Sequence, residues 1–145
     1  MKTFISLFLL FGCLFAANVK AEDTPDYQFQ GYHFLASYSE CDLKALSDVE
    51  GLAQAMRQAV QNCGATILDS SKWVFPPDGL TMVFLLSESH ASIHTYPEHG
   101  ACFVDLFTCG EKCSAEAFDQ SLRAYLKPQV VKDRMIIRNR DFEEK

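Results

Sequence analysis

The chain has 145 residues, 48% of them hydrophobic, and a formal net charge of −6. That composition is enough for one ordinary core and suggests a single domain. With a negative balance and no basic cluster, nucleic acid is excluded as an expected partner. Lys127, Lys132, Arg134, Arg138 and Arg140 read as a solvated strand face.

Residues 1–21 begin with a lysine at position 2, continue as an apolar run from Phe4 to Ala17, and end on Val19-Lys20-Ala21 before Glu22. The pattern predicts a signal peptide that is removed on export to the periplasm or beyond, and the run is too short to span a bilayer. A hydrophobic N-terminal helix of a cytoplasmic protein is the alternative. Leu10-Phe11-Gly12-Cys13 is only a weak match to a lipoprotein site. The predicted domain is then 22–145. Residues 32–38 read as a strand. Ser47 is the predicted cap of a helix to Asn62, with Leu52, Met56 and Val60 at helical spacing and Gly64 as its stop. Residues 65–75 read as a second strand and Pro76-Pro77-Asp78-Gly79 as a turn. Three strands follow at 81–87, 89–96 and 101–107. Ser114 caps a predicted helix over 115–126, with Phe118, Leu122 and Tyr125 inward and Pro128 as its stop, and 130–138 makes the last strand. The order βαββββαβ predicts an α+β two-layer sandwich, a mostly antiparallel sheet with two helices on one face. No internal repeat or low-complexity segment interrupts it.

Chemistry concentrates in Ser87-Glu88-Ser89-His90-Ala91-Ser92-Ile93-His94-Thr95-Tyr96-Pro97-Glu98 and in Asp105-Leu106-Phe107-Thr108-Cys109-Gly110. Taken singly, Ser89 reads as an ordinary turn or strand serine and Cys109 as a small buried hydrophobe. His90 and His94 would suit a metal across a helical turn. Ile93, Thr95 and the apolar run from Met82 to Leu86 favour strand instead. Alternation then puts His90, Ser92 and His94 on one face, with Ala91 and Ile93 on the other. No metal is expected.

Taken together, in order and spacing, these pieces closely resemble the prokaryotic pyruvoyl-dependent S-adenosylmethionine decarboxylases, over about residues 32–137. The resemblance implies cleavage between Glu88 and Ser89. The Ser89 hydroxyl attacks the Glu88 carbonyl, an N-to-O acyl shift gives an ester, and loss of the serine α-proton breaks that ester by β-elimination. The dehydroalanine hydrolyses to a pyruvoyl group, the self-made cofactor, which forms a Schiff base with a substrate amine and accepts electrons on decarboxylation. His94 would be the processing base and Cys109 the proton donor in turnover, its reference pKa of about 8.5 lying near neutrality. Phe75-Pro76-Pro77-Asp78-Gly79-Leu80-Thr81 fits the family's Phe-x-Pro-x-Gly-x-Ser pattern, with Thr81 in place of serine as processing support. Phe75 and Tyr96, the latter where the family has tryptophan, would stack on adenine, and Glu98 would accept from the ribose hydroxyls.

The resemblance further implies a homodimer in which two sheets face each other. The leading function is decarboxylation of S-adenosylmethionine to the aminopropyl donor of spermidine synthesis. An exported ornithine or arginine decarboxylase with the same cofactor is the alternative that the leader motivates. A non-enzymatic exported domain of the same fold is the third reading, and the joint presence of Ser89, His94 and Cys109 argues against it. Of 6 cysteines, Cys13 falls in the leader. With Cys109 free, Cys41, Cys63, Cys102 and Cys113 could pair in any of three ways or stay reduced.

Overall fold

Alternating apolar and polar residues generate six strands in a computed structural model that describes residues 30–109 and 112–139. The predicted signal peptide lies outside the described residues. The strands are β1 (Gly31–Ser39), β2 (Ile67–Phe75), β3 (Gly79–Leu86), β4 (Ser89–Tyr96), β5 (Ala101–Thr108) and β6 (Val130–Arg138). They form one sheet in the order β2-β3-β4-β5-β1-β6, antiparallel at every pairing. The helices are α1 (Leu43–Ser47), α2 (Val49–Asn62) and α3 (Ala115–Leu126). The predicted α+β sandwich is the observed architecture. Among the described residues, no helix is long and apolar enough to cross a membrane.

β3 runs Gly79–Leu86 against the expected 81–87, β1 and β5 are slightly longer than expected, and two further boundaries differ for local hydrogen-bonding reasons. Ser47 does not cap the long helix; it ends the short helix α1. Asp48 is the cap of α2, its carboxylate accepting from the Gly51 N–H at 3.0 Å. Aspartate caps as well as serine does, so adjacent candidates compete. The second strand starts at Ile67, because the preceding residues are still closing α2: Gly64 N–H donates to Gln61 O and Ala65 N–H to Val60 O. Ser114 caps α3 as predicted, accepting from Ala117 N–H at 3.1 Å. Leu126, with Phe118 and Leu122, takes a fully buried place on α3, whereas Tyr125 is only partly buried.

One sheet face and the inner faces of α2 and α3 share the core. Phe34, Phe84, Ile93, Leu106, Leu52 and Phe118 are among its closed side chains. Burying a side chain of that size contributes about 1.5–3 kcal/mol. A polar link locks the helix layer to the sheet: Tyr38 of β1 donates to Asp119 of α3 at 2.5 Å, and Arg123 reaches Asp119 at 2.8 Å and Asp133 of β6 at 3.4 Å.

The other face is covered by no element among the described residues. Register places Trp73 and Phe75 of β2, Thr81, Val83 and Leu85 of β3, and Phe103 of β5 on it. Trp73 is 68% exposed, Leu85 54% and Phe103 52%. Contiguous apolar exposure of this kind marks an interaction surface. His33, His90 and His94 lie among these residues.

Candidate active site

The tight connection from β3 to β4 carries Glu88, and β4 begins at Ser89. Three hydrogen bonds fasten it: Ser87 N–H to Thr66 O at 3.0 Å, Thr66 N–H to Glu88 Oε2 at 3.0 Å, and Cys109 N–H to the Glu88 carbonyl oxygen at 3.0 Å. Burial opposes ionisation of the Glu88 carboxyl, but hydrogen bonds from Ser87 and Thr66 outweigh it and hold the group below the usual carboxylate range. Ser89 has φ 146°, a positive value that a residue with a Cβ rarely adopts. Backbone strain of this kind costs on the order of 1–3 kcal/mol and persists only where surrounding contacts enforce it. Here it sits at the bond between Glu88 and Ser89, whose carbonyl is already polarised by a backbone donor. The Ser89 hydroxyl lies 3.2 Å from His90 Nδ1.

Cys109 follows β5 directly and is exposed. Its neighbour Thr108 stands opposite Ser89, so thiol, strained serine and polarised carbonyl occupy one end of the sheet. Three sequence-predicted residues, Glu88, Ser89 and Cys109, are brought together there.

His94, Thr81, Phe75 and Tyr96 form a second group. Thr81 stands opposite His94, and its hydroxyl is 2.5 Å from His94 Nδ1, which orients the ring. Phe75 meets His94 edge-on at 5.9 Å between centroids, and Tyr96 does so at 4.6 Å. Phe103 closes on Tyr96 at 5.6 Å. Both aromatics expected at adenine therefore flank the histidine. Glu98 belongs to the 3-10 turn Pro97–His99, with its side chain 65% exposed and 4.0 Å from His99; it joins neither group directly.

His94 is not placed beside Ser89 within one protomer. Five residues of extended strand separate them, roughly 16 Å at 3.3 Å per residue. The two groups stand apart on the sheet.

Between them lies a cluster to which the sequence motif gave no role. Asp105 accepts from the Ser92 hydroxyl and stands 3.6 Å from His33 Nε2 and 3.5 Å from His90 Nε2. Ligand atoms of His33, His90 and Asp105 lie within 4.8 Å of one another, a spacing that could hold a metal ion. The signal for this cluster was cross-strand register, since Asp105 pairs with Ser92 from β4 and Leu35 from β1. Beside it a depression of about 520 Å³ is lined by Ser37, His94, Phe103, Asp105, Lys132 and Arg134, among others. Arg138 stacks its guanidinium on Phe107 at 4.4 Å. The cations of β6 thus line the open face instead of simply meeting solvent.

A strained serine after its own polarised carbonyl, a thiol at that bond and a hydroxyl-held histidine fit the class of pyruvoyl-dependent carboxy-lyases built on an α+β sandwich. The comparisons agree. The S-adenosylmethionine decarboxylase family model matches residues 32–139, and the chain belongs to that family. It is 40% identical over 98 residues to the S-adenosylmethionine decarboxylase proenzyme of Methanococcus aeolicus, covering 68% of this chain and 84% of that protein. It is 42% identical over 101 residues to the proenzyme of the same name from Thermotoga maritima, covering 70% and 78%. The crystal structure of the adenosylmethionine decarboxylase from Aquifex aeolicus superposes with a TM-score of 0.71 at 34% identity, over 79% of this chain and 95% of that one.

Proposed function

We propose that this chain decarboxylates S-adenosylmethionine, supplying the aminopropyl donor for spermidine synthesis, with a pyruvoyl group made from Ser89. The observation that carries the reading is the Glu88–Ser89 junction, where positive φ and the Cys109 N–H act on the same peptide bond. The Ser89 hydroxyl adds to the Glu88 carbonyl, and negative charge developing on that oxygen is met by the Cys109 N–H already aimed at it. Collapse with loss of the amide nitrogen gives the ester and relaxes the strained backbone. Removal of the Ser89 α-proton expels the Glu88 carboxylate, and hydrolysis of the dehydroalanine releases ammonia. When present, the resulting ketone supplies an electrophile for the substrate amine and a sink for the electrons left by CO2. The Cys109 thiol, at the same end of the sheet, then delivers the proton.

His90 is the imidazole beside Ser89 in this chain, but the family pattern gives the role of processing base to His94. His94 lies too far from Ser89 on its own strand, but a second copy packed face to face with the strands reversed would bring its Thr81–His94 half-site to this serine. The uncovered apolar face supports that homodimer. Phe75 and Tyr96 travel with His94, so adenine would bind where the two copies meet, and Glu98 would accept from ribose hydroxyls at its rim.

The apolar leader supports export to the periplasm or beyond, and with it a second reading: an amino acid such as ornithine or arginine as substrate. A panel of carboxyl-labelled substrates offered to the processed protein separates the two. Labelled CO2 from S-adenosylmethionine alone is expected. Release from ornithine or arginine, with S-adenosylmethionine inert, would overturn the leading reading.

A further inference from the structure

Four cysteines that sequence spacing leaves unassigned stand in two contact pairs. Cys102 of β5 is in register with Tyr38 near the end of β1. Cys41 follows that strand closely, and its N–H donates to Gly100 O at 2.9 Å, holding the two segments side by side. That bond and the strand register bring the Cys41 and Cys102 side chains together, and both are buried. The second pair joins the helix layer. Cys63 closes the C-terminus of α2, and Cys113 immediately precedes Ser114, the cap of α3. Ser114 N–H donates to Cys63 O at 2.8 Å, which brings Cys113 alongside Cys63, whose thiol donates to Val60 O at 3.0 Å. Cys109 stands apart from both pairs and is exposed.

We propose that the folded protein carries two disulfides, Cys41–Cys102 and Cys63–Cys113, and keeps Cys109 as its free thiol. Cysteines on backbone segments already hydrogen-bonded side by side are what bond formation requires; cysteines held apart would need backbone movement. Packing as small hydrophobes would explain one buried pair. Two independent pairs, using all four remaining cysteines of the predicted mature chain and closing long loops, are what the proposed export to an oxidising compartment would call for. The oxidant is a disulfide donor, whether a small-molecule disulfide or a dithiol–disulfide catalyst. One cysteine thiolate attacks a donor sulfur and expels one donor thiolate. The second cysteine thiolate then attacks the mixed disulfide at the protein sulfur and expels the other. Each bond removes two protons and two electrons from the protein, and the donor disulfide leaves as two thiols. Burial, reinforced by Cys63, pushes the Cys113 thiol up to about 12, and burial also raises Cys63. Folded, reduced thiols of this kind react slowly, so oxidation belongs to folding.

This assignment is independent of the decarboxylase reading, because none of the four thiols has a role in it. The test refolds the reduced full chain in a glutathione redox buffer, blocks free thiols, and maps peptides without reduction. Peptides joined through Cys41–Cys102 and through Cys63–Cys113 are expected, with Cys109 and Cys13 of the predicted leader carrying the blocking group. Reducing the refolded protein should then lower its Tm by about 10 °C. A Cys113→Ser variant should retain the Cys41–Cys102 link and leave Cys63 blocked. Four blocked cysteines, a Cys109–Cys113 link, or a Tm indifferent to reductant would each overturn the proposal.

Discussion

On the proposed reaction the backbone and the side chain of Cys109 serve different steps. The N–H that donates to the Glu88 carbonyl would act in cleavage, and the thiol would protonate product. Cys109→Ala retains the first and loses the second, so it should still be cleaved substantially while decarboxylating about 100- to 10,000-fold more slowly. Near-normal CO2 release by a fully cleaved Cys109→Ala protein would refute that division. His94 makes the reverse case. Without an α-proton acceptor, His94→Ala should stall near the ester, which hydroxylamine then cleaves, whereas Ser89→Ala offers no hydroxyl and should stay intact and resistant. Intact mass with and without hydroxylamine distinguishes the three proteins. His90, although 3.2 Å from the Ser89 hydroxyl, is neighbour to Asp105 as well, and its replacement should slow processing less than loss of His94.

The elements that hold these residues depend on one buried polar link. Burial, and then the hydrogen bond to Asp119, push the Tyr38 hydroxyl well above the usual tyrosine range. A raised folded pKa contributes stability that is complete below the unfolded value of about 10 and is lost as pH rises beyond it. Denaturant unfolding of the wild type should therefore weaken above pH 10, and Tyr38→Phe should flatten that decline. The same substitution should cost about 1.5–3 kcal/mol at neutral pH, the range for a hydrogen bond to a charged group. An unchanged midpoint would show that Arg123 alone satisfies Asp119. Most of this scaffold was legible as period-two alternation and helical spacing: β4 and β6, α3 and the Ser114 cap stand where the residues put them. What escaped has local causes. Asp48 outcompeted Ser47 as cap, a five-residue helix is too short to leave a periodicity, and α2 ends by consuming the first residues assigned to β2. The site was legible as residue types and as a shared face for His90, Ser92 and His94. The convergence of His33 and Asp105 was not, because it depends on which strands become neighbours.

For the whole molecule, the proposed face-to-face dimer would cover the exposed apolar side chains and bridge the distance between Ser89 and His94. A charge placed on that face away from both half-sites should break the assembly: Leu85→Glu is expected to elute as a monomer and remain uncleaved. A cleaved monomer would mean that one protomer suffices. The central claim is cleavage at Glu88–Ser89 by groups shared between two copies, and it is tested most directly by mixing Ser89→Ala and His94→Ala proteins, exchanging subunits and measuring intact masses. Neither protein should complete processing alone. In the mixed dimer one site combines an intact Ser89 with an intact partner His94, so the His94→Ala chain should appear as two fragments, the larger beginning with a pyruvoyl group at position 89. Mixed dimers in which both chains stay whole, or fragments from His94→Ala alone, would contradict the account.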